Sequence, residues 1–307
     1  MLSPMIVPVD LDYIHQYRYD QWKAGEELFS IEIPSDFIEQ HFEDIFKLPS
    51  AQITLKDLEE RNAPMPAPPP WEIDYGASFN KGYILISSLK PLENKDILPR
   101  FAQVFEQAYT RFLDLQKAEE QTRKAQIEAA LERVRSKSLA MHNSHELLEV
   151  ANLLFIEFKG LGVETDIVGI RLRKDQSKDL HLWMGTADGL YDKVLHWPYE
   201  NIKIFNEVHK AQLKGDVMSS SFSKKETKAF FKAYSQIKGV PKERIATVEN
   251  NTEMEWLFSF LKNSGLFVMK YKDERFSDEE KAILKRFSQV FEQTYIRFQD
   301  LEKAEAQ

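Results

Sequence analysis

The sequence predicts an α+β protein: antiparallel sheet flanked by helices, in one partial and one complete module joined by a long connecting helix. Three observations predict it. The segment RFAQVFEQAYTRFLDLQKAEEQ at residues 100–121 returns as RFSQVFEQTYIRFQDLEKAEAQ at residues 286–307, identical at 16 of 22 positions, far above chance for two stretches of one chain. Each copy is preceded by a strand, a tight turn and a second strand. Residues 100–141 contain neither glycine nor proline, so one helix of roughly 60 Å is expected at 1.5 Å per residue.

In chain order, the first copy begins with a helical stretch, YIHQYRYDQWKAGEELF, that stops at Gly25; the second holds IKIFNEVHKAQLKGDVM, with Gly215 in the same place. Glycine is the usual residue just past a helix end, where the backbone turns left-handed. Short strand-like runs follow at 28–33 and 217–222, then second helices at 35–47 and 223–238. Ser35 and Ser223 are the expected N-caps, with hydroxyls that accept free backbone N–H groups. Both helices are expected to end near a proline, Pro49 and Pro241. The stretch APMPAPPP at 63–70 reads as an exposed polyproline-like loop.

Two hairpins come next: WEIDYGAS–FNKG–YILISS and WLFSFL–KNSG–LFVMKY. Residues Asn80 to Gly82 and Asn263 to Gly265 supply types that tolerate positive φ, a hairpin signal. The second strands are nearly continuous apolar runs and read as central strands buried on both faces. Ahead of the second copy alone stand an apolar helix at 144–158, closed by Gly160 and Gly162, and two strands, DIVGIRLR and LHLWMG. The expected organisation is therefore a partial module at 1–99 (a back half), a linker helix at 100–142, a complete domain at 143–285, and the start of another helix at 286–307.

The linker helix carries an apolar stripe: Phe101, Val104, Phe105, Phe112 and Leu115, continued by Ile127, Leu131, Val134 and Met141. Spacings of four, three and seven are a heptad signature. A helix of this length cannot bury its own stripe, so a homodimer through the linker helices is expected, with AEEQTRKAQIEAALERVRSK as the coiled-coil core. His142-Asn143-Ser144 interrupts the helix, and Asn143 with Glu146 fits a capping-box-like restart.

Composition narrows the function. A formal net charge of −8 argues against nucleic acid and anionic membrane surfaces as partners. The absence of cysteine excludes disulfides, thiolate catalysis, zinc–cysteine sites and a thioether-linked bilin; any other cofactor is unknown. Neither a secretory leader nor an apolar run long enough to span a bilayer is present, which places the expected location in the cytoplasm. No G-x-S-x-G, H-E-x-x-H, P-loop or G-x-G-x-x-G occurs, so no catalytic constellation is read and an enzyme is not expected.

Several residues still invite chemistry. Ser144-His145-Glu146-Leu147 resembles the phosphoacceptor box of histidine kinases, but the proline that should follow is missing and a capped helix start explains it. His142 and His145 lack a third metal ligand. His181, Trp183, His196 and Trp197 lie on or near strands of the complete module, and Trp256, Phe258 and Phe260 lie on its hairpin. Alternation puts Trp256, Phe258 and Phe260 on one face, and His181 with Trp183 on one face. These seven either line a ligand pocket or fill the core. Asp188 and Asp192 read as turn residues, and Ser277 with Asp278, Glu279 and Glu280 as a capped helix start.

FEQTYIRFQDLEKAEAQ and IEAALERVRSKSLAMHNSHELLEVANLLF resemble the linker and entry helices of tandem GAF-like domains in bacterial, notably Bacteroidetes-type, signal-transduction proteins, usually upstream of a histidine kinase. The resemblance covers most of the chain. It implies a GAF-like antiparallel sheet flanked by helices, an aromatic-lined site at the seven residues above, and an output domain such as a histidine kinase beyond residue 307. The expected function is a sensory and signal-relay region of a two-component system; the alternatives are a small-molecule-binding module and an unrecognised enzyme.

Overall fold

The computed structural model describes residues 5–63, 67–143, 146–172, 178–189, 191–238, 240, 253–271 and 275–305. The fold is α+β, with antiparallel sheets and one long helix. It divides into two compact units, Met1–Glu119 and Glu120–Gln307. The division falls inside the long helix α4 (Leu98–Leu139), so the expected linker helix is shared between the units.

Unit 1 contains α1 (Tyr13–Ala24), β1 (Leu28–Ile33), α2 (Ile38–Phe46), α3 (Pro49–Glu60), β2 (Glu72–Phe79), β3 (Gly82–Ser88) and the first half of α4. Asp12 caps α1 by accepting from the His15 N–H. Gly25 closes the helix at φ 78°, in the left-handed region that favours glycine. The expected helix at 35–47 is corrected twice. It starts at Ile38 with Phe37 as its cap residue, so Ser35 is not the cap. Pro49 opens α3, because a proline at the first helical position lacks an N–H that would be unsatisfied anyway and has φ already set. Part of the proline-rich loop (64–66) lies outside the described residues.

Unit 2 contains the second half of α4, α5 (Leu147–Gly160), β4 (Ile167–Leu172), β5 (Leu180–Thr186), β6 (Leu195–Trp197), α6 (Lys203–Lys214), β7 (Val217–Phe222), α7 (Lys224–Tyr234), β8 (Met254–Phe260), β9 (Ser264–Lys270) and α8 (Asp278–Glu305). Its antiparallel sheet has the order β6-β5-β4-β9-β8-β7. Strands β8 and β9 are buried throughout, and alternate side chains enter two cores. On one face Leu257, Leu266 and Val268 pack with α4, α5 and α8. On the other Trp256, Phe258 and Phe267 pack with α6 and α7. Capping boxes start α7 (Ser223 with Glu226) and α8 (Ser277 with Glu280). Ser144, His145 and Pro241 lie outside the described residues, so the expected phosphoacceptor-like start and the proline at that helix end do too.

The sheet of unit 1 has the order β1-β2-β3 and repeats the back half of unit 2. Ile73 opposite Ser88 corresponds to Glu255 opposite Lys270, and Phe29 opposite Gly76 to Met218 opposite Phe258. This register corrects the equivalence read between the turns. Phe79 pairs with Gly82, and the Leu261 N–H donates to the Ser264 carbonyl, so Asn80 matches Lys262 rather than Asn263. Neither Asn80 nor Asn263 has positive φ.

One packing device recurs in both units. A phenylalanine ring covers the glycine opposite it on the neighbouring strand: Phe29 over Gly76, Phe267 over Gly169 and Phe260 over Gly265. A Cβ at any of the three would fall inside that ring.

The apolar stripe of α4 has two fates. Ile127, Leu131, Val134 and Met141 are buried in unit 2 against α5 and α8. Arg133 makes a two-pronged ion pair with Glu157 of α5, both bonds 2.6 Å. Arg123 pairs with Glu279 of α8 at 2.7 Å, and Glu128 with Arg286. The expectation that this half pairs with another chain is therefore corrected: its stripe and its charges are matched within the chain. Phe101, Val104, Phe105, Phe112 and Leu115 remain exposed.

Candidate functional site

The seven aromatic and histidine residues proposed as a pocket do not form one cluster. Trp183 faces the core with α4, α5 and α8, whereas Trp197, Trp256, Phe258 and Phe260 face α6 and α7. Strand alternation separates them: Leu182 and Met184, the neighbours of Trp183, occupy the second face. His181 lies opposite His196 across the β5–β6 ladder, with rings stacked 4.6 Å apart. His196 is exposed, and its Nε2 meets the Asp179 carboxylate at 3.1 Å.

On the α6/α7 face the aromatic rings pack on one another. Trp197 sits 5.3 Å from both Phe205 and Phe230, and Trp256 lies 5.6 Å from Phe230 and 5.4 Å from Phe267. One polar atom stands out there. The Trp256 indole Nε1 is buried with no hydrogen-bond partner among the described residues.

A buried ionisable group lies in unit 1, and the sequence reading did not single it out. Asp74 of β2 is fully buried and forms an ion pair with Arg18 of α1. The Ser87 hydroxyl, directly opposite on β3, donates to the same carboxylate. The register makes Trp256 opposite Met269 the unit 2 counterpart of Asp74 opposite Ser87. Seven residues before the helix-closing glycines, Arg18 has Val208 as its counterpart. Charge in unit 1 thus stands where unit 2 has a buried apolar core. Glu72, one pleat along β2, is also buried; burial first, and the Asp74 charge second, push its carboxyl above 4.5.

Beside this group, Asp12 bridges two imidazoles. His15 Nδ1 lies 2.9 Å from one carboxylate oxygen and His41 Nδ1 2.5 Å from the other, and the two rings stack at 5.1 Å. These ligand atoms lie within 4.8 Å of one another, the one such group among the described residues. A divalent cation bound through the two Nδ1 atoms would displace both hydrogen bonds, because an Nδ1 that donates a proton cannot also bind metal.

The cluster makes unit 1 sensitive to acid. Burial lowers the His15 pKa below 6.5, against the opposing pull of Asp12. Burial alone would raise Asp12, but the bonds from the His15 N–H and from both imidazoles outweigh it and hold the carboxyl below 3.8. Between the folded pKa of His15 and 6.5 the unfolded chain binds more protons, so stability falls as pH drops through that window. The Asp12 contribution, present above 3.8, is lost at still lower pH. The midpoint of unit 1 in urea, followed by amide exchange of β1–β3, is expected to be lower at pH 5.5 than at pH 7.5. An unchanged midpoint would contradict this reading.

Both units share one contact between hairpin and helix. In unit 1 the Asn80 N–H donates to Glu106 of α4 at 3.2 Å. In unit 2 the Asn263 N–H and side-chain amide donate to Glu292 of α8 at 2.9 and 2.8 Å, and the Ser264 hydroxyl donates to its other oxygen. Glu106 and Glu292 are the same position of the repeated VFEQ.

No helix among the described residues is long and apolar enough to cross a membrane. No family model and no curated protein matches the chain. Among solved structures, it is similar to the GAF domain of A. Aeolicus nlh2 in an inactive state, at 10% identity and a TM-score of 0.33, over 59% of this chain and 99% of that one.

Proposed function

We propose that the chain is a GAF-like sensory and signal-relay region of a bacterial signal-transduction protein, which passes a conformational change through its repeated helix to an output domain such as a histidine kinase. One observation carries the reading: the repeat ties the same hairpin turn to the same glutamate of its helix twice, Glu106 in α4 and Glu292 in α8. Glu292 is mostly buried, so its bonds to the turn work in a low dielectric, where a lost partner leaves N–H groups unsatisfied. Anything that displaces the β8–β9 turn then acts on α8 about four turns into the helix. The six-stranded antiparallel sheet with helices on both faces supports the same reading.

The test is Glu292→Ala in the full chain. Removing the shared acceptor should cost about 1–3 kcal/mol. Hydrogen exchange should accelerate both at Asn263 and Ser264 and in the part of α8 that follows residue 292. Faster exchange confined to the turn, with α8 unchanged, would defeat the relay.

A further inference from the structure

We infer that unit 1 is a half-domain completed by a second copy of this chain. The copies pair through the free edge of β3 and the exposed face of the first half of α4. The internal duplication shows what this surface lacks. Strand β9, the counterpart of β3, has an antiparallel neighbour on its far side: Ile167 to Leu172 of β4 pair with Met269 to Ser264. Strand β3 has no neighbour there among the described residues. Leu85 and Ile86 are 36% and 41% exposed, where their counterparts Phe267 and Val268 are 2% and 0%. This corrects the expectation that YILIS is a central strand. Its apolar run is that of a central strand, but its place is an edge.

The helix shows the same deficit. Phe287, Val290 and Phe291 of α8 are buried under α4 and α5, with Phe158 of α5 4.8 Å from Phe287. Their repeat counterparts Phe101, Val104 and Phe105 are exposed, Phe101 at 56% against 0% for Phe287. Phe101, Phe105, Ala108, Phe112 and Leu115 follow alternating steps of four and three, and the series ends at Glu119 and Thr122. That is a seam of about 20 Å at 1.5 Å per residue, written for a partner helix.

A second copy supplies both missing pieces at once. A two-fold axis normal to the sheet sets β3 antiparallel to its mate and places both α4 seams on the same side, the self-complementary geometry of an isologous dimer. The joined sheet, β1-β2-β3 continued by its mate in reverse, has six strands, as unit 2 has. Nothing on the edge opposes pairing. Residues Gly82 to Ser88 include no charged residue and no proline, the devices by which proteins protect an open strand.

The full chain is expected to have twice its 35.9 kDa mass in sedimentation equilibrium at micromolar concentration. Ile86→Lys at the edge and Phe112→Glu on the seam should each give a monomer with unit 2 unchanged in amide exchange. Ile53→Lys, on α3, should leave the dimer intact. Because the chain lacks cysteine, Leu89→Cys can carry a single spin label. Four residues from the strand centre at 3.3 Å each place two labels roughly 25 Å apart across the axis. A wild-type monomer would overturn the inference and leave the surface to a segment of other sequence. A dimer indifferent to both edge and seam variants, or one with no label distance below roughly 50 Å, would overturn it too.

Discussion

Asp74→Ala is expected to destabilise unit 1 by about 3–5 kcal/mol, the range for breaking one partner of a buried ion pair. Arg18 and Asp74 have side-chain exposures of 8% and 0%, so the guanidinium left behind has little water to turn to. The Arg18 Nε has no partner among the described residues, which leaves the Asp74 carboxylate as the principal match for this charge. Ser87, whose hydroxyl also donates to Asp74, loses its acceptor in the same step. Replacing the whole group behaves differently: Arg18→Val with Asp74→Trp and Ser87→Met imports the apolar solution of unit 2, and burial of well-packed apolar groups in place of ions is often neutral. Urea denaturation followed by amide exchange in β1–β3 distinguishes the two, with unit 2 as an internal control. A single variant that leaves the midpoint unmoved would contradict this reading of the ion pair.

Phe287→Ala is expected to cost about 3–5 kcal/mol in unit 2, the sum of lost apolar burial and the cavity left behind. The ring is fully buried in the core that joins α4, α5 and α8 to the sheet, and it lies against Phe158. Trp183 belongs to the same core, so its fluorescence should follow the transition. The same substitution at Phe101 removes a ring that is 56% exposed among the described residues. Its cost in a chain kept monomeric by Ile86→Lys should be within about 0.5 kcal/mol, as for surface positions. Two identical side chains in closely similar local sequence would then differ chiefly by what lies above them.

That comparison also marks the limit of what the sequence could convey. The α+β class, the helix-closing glycines Gly25 and Gly215, and the N-caps Ser223 and Ser277 were legible because each depends on residues within a few positions. Whether β3 is central or at an edge depends on a strand that is present beside β9 and not beside β3, and no local pattern records a missing neighbour. Alternation placed Trp256, Phe258 and Phe260 together correctly. It put no constraint between strands, so Trp183 was grouped with residues on the opposite face. The apolar stripe of α4, read as one run, concealed a change of environment near Glu119: one part meets helices of its own chain, and the other meets none among the described residues. The buried cluster around Asp74 had one available signal, two acids at alternate positions of the apolar strand EIDYGAS, an arrangement that puts charge on one face of a sheet.

The phenylalanine rings that cover Gly76, Gly169 and Gly265 have a consequence for how these positions can change over time. Each pair is two halves of one volume divided across a ladder. A larger residue at the glycine is excluded while the ring is present, and a smaller residue at the phenylalanine opens a void while the glycine is present. Either step alone is harmful, and both together restore the filling, the sign of non-additivity expected for residues in contact. The mutational routes through these sheets are therefore gated in pairs, and a lineage can cross only where the two changes arrive nearly together.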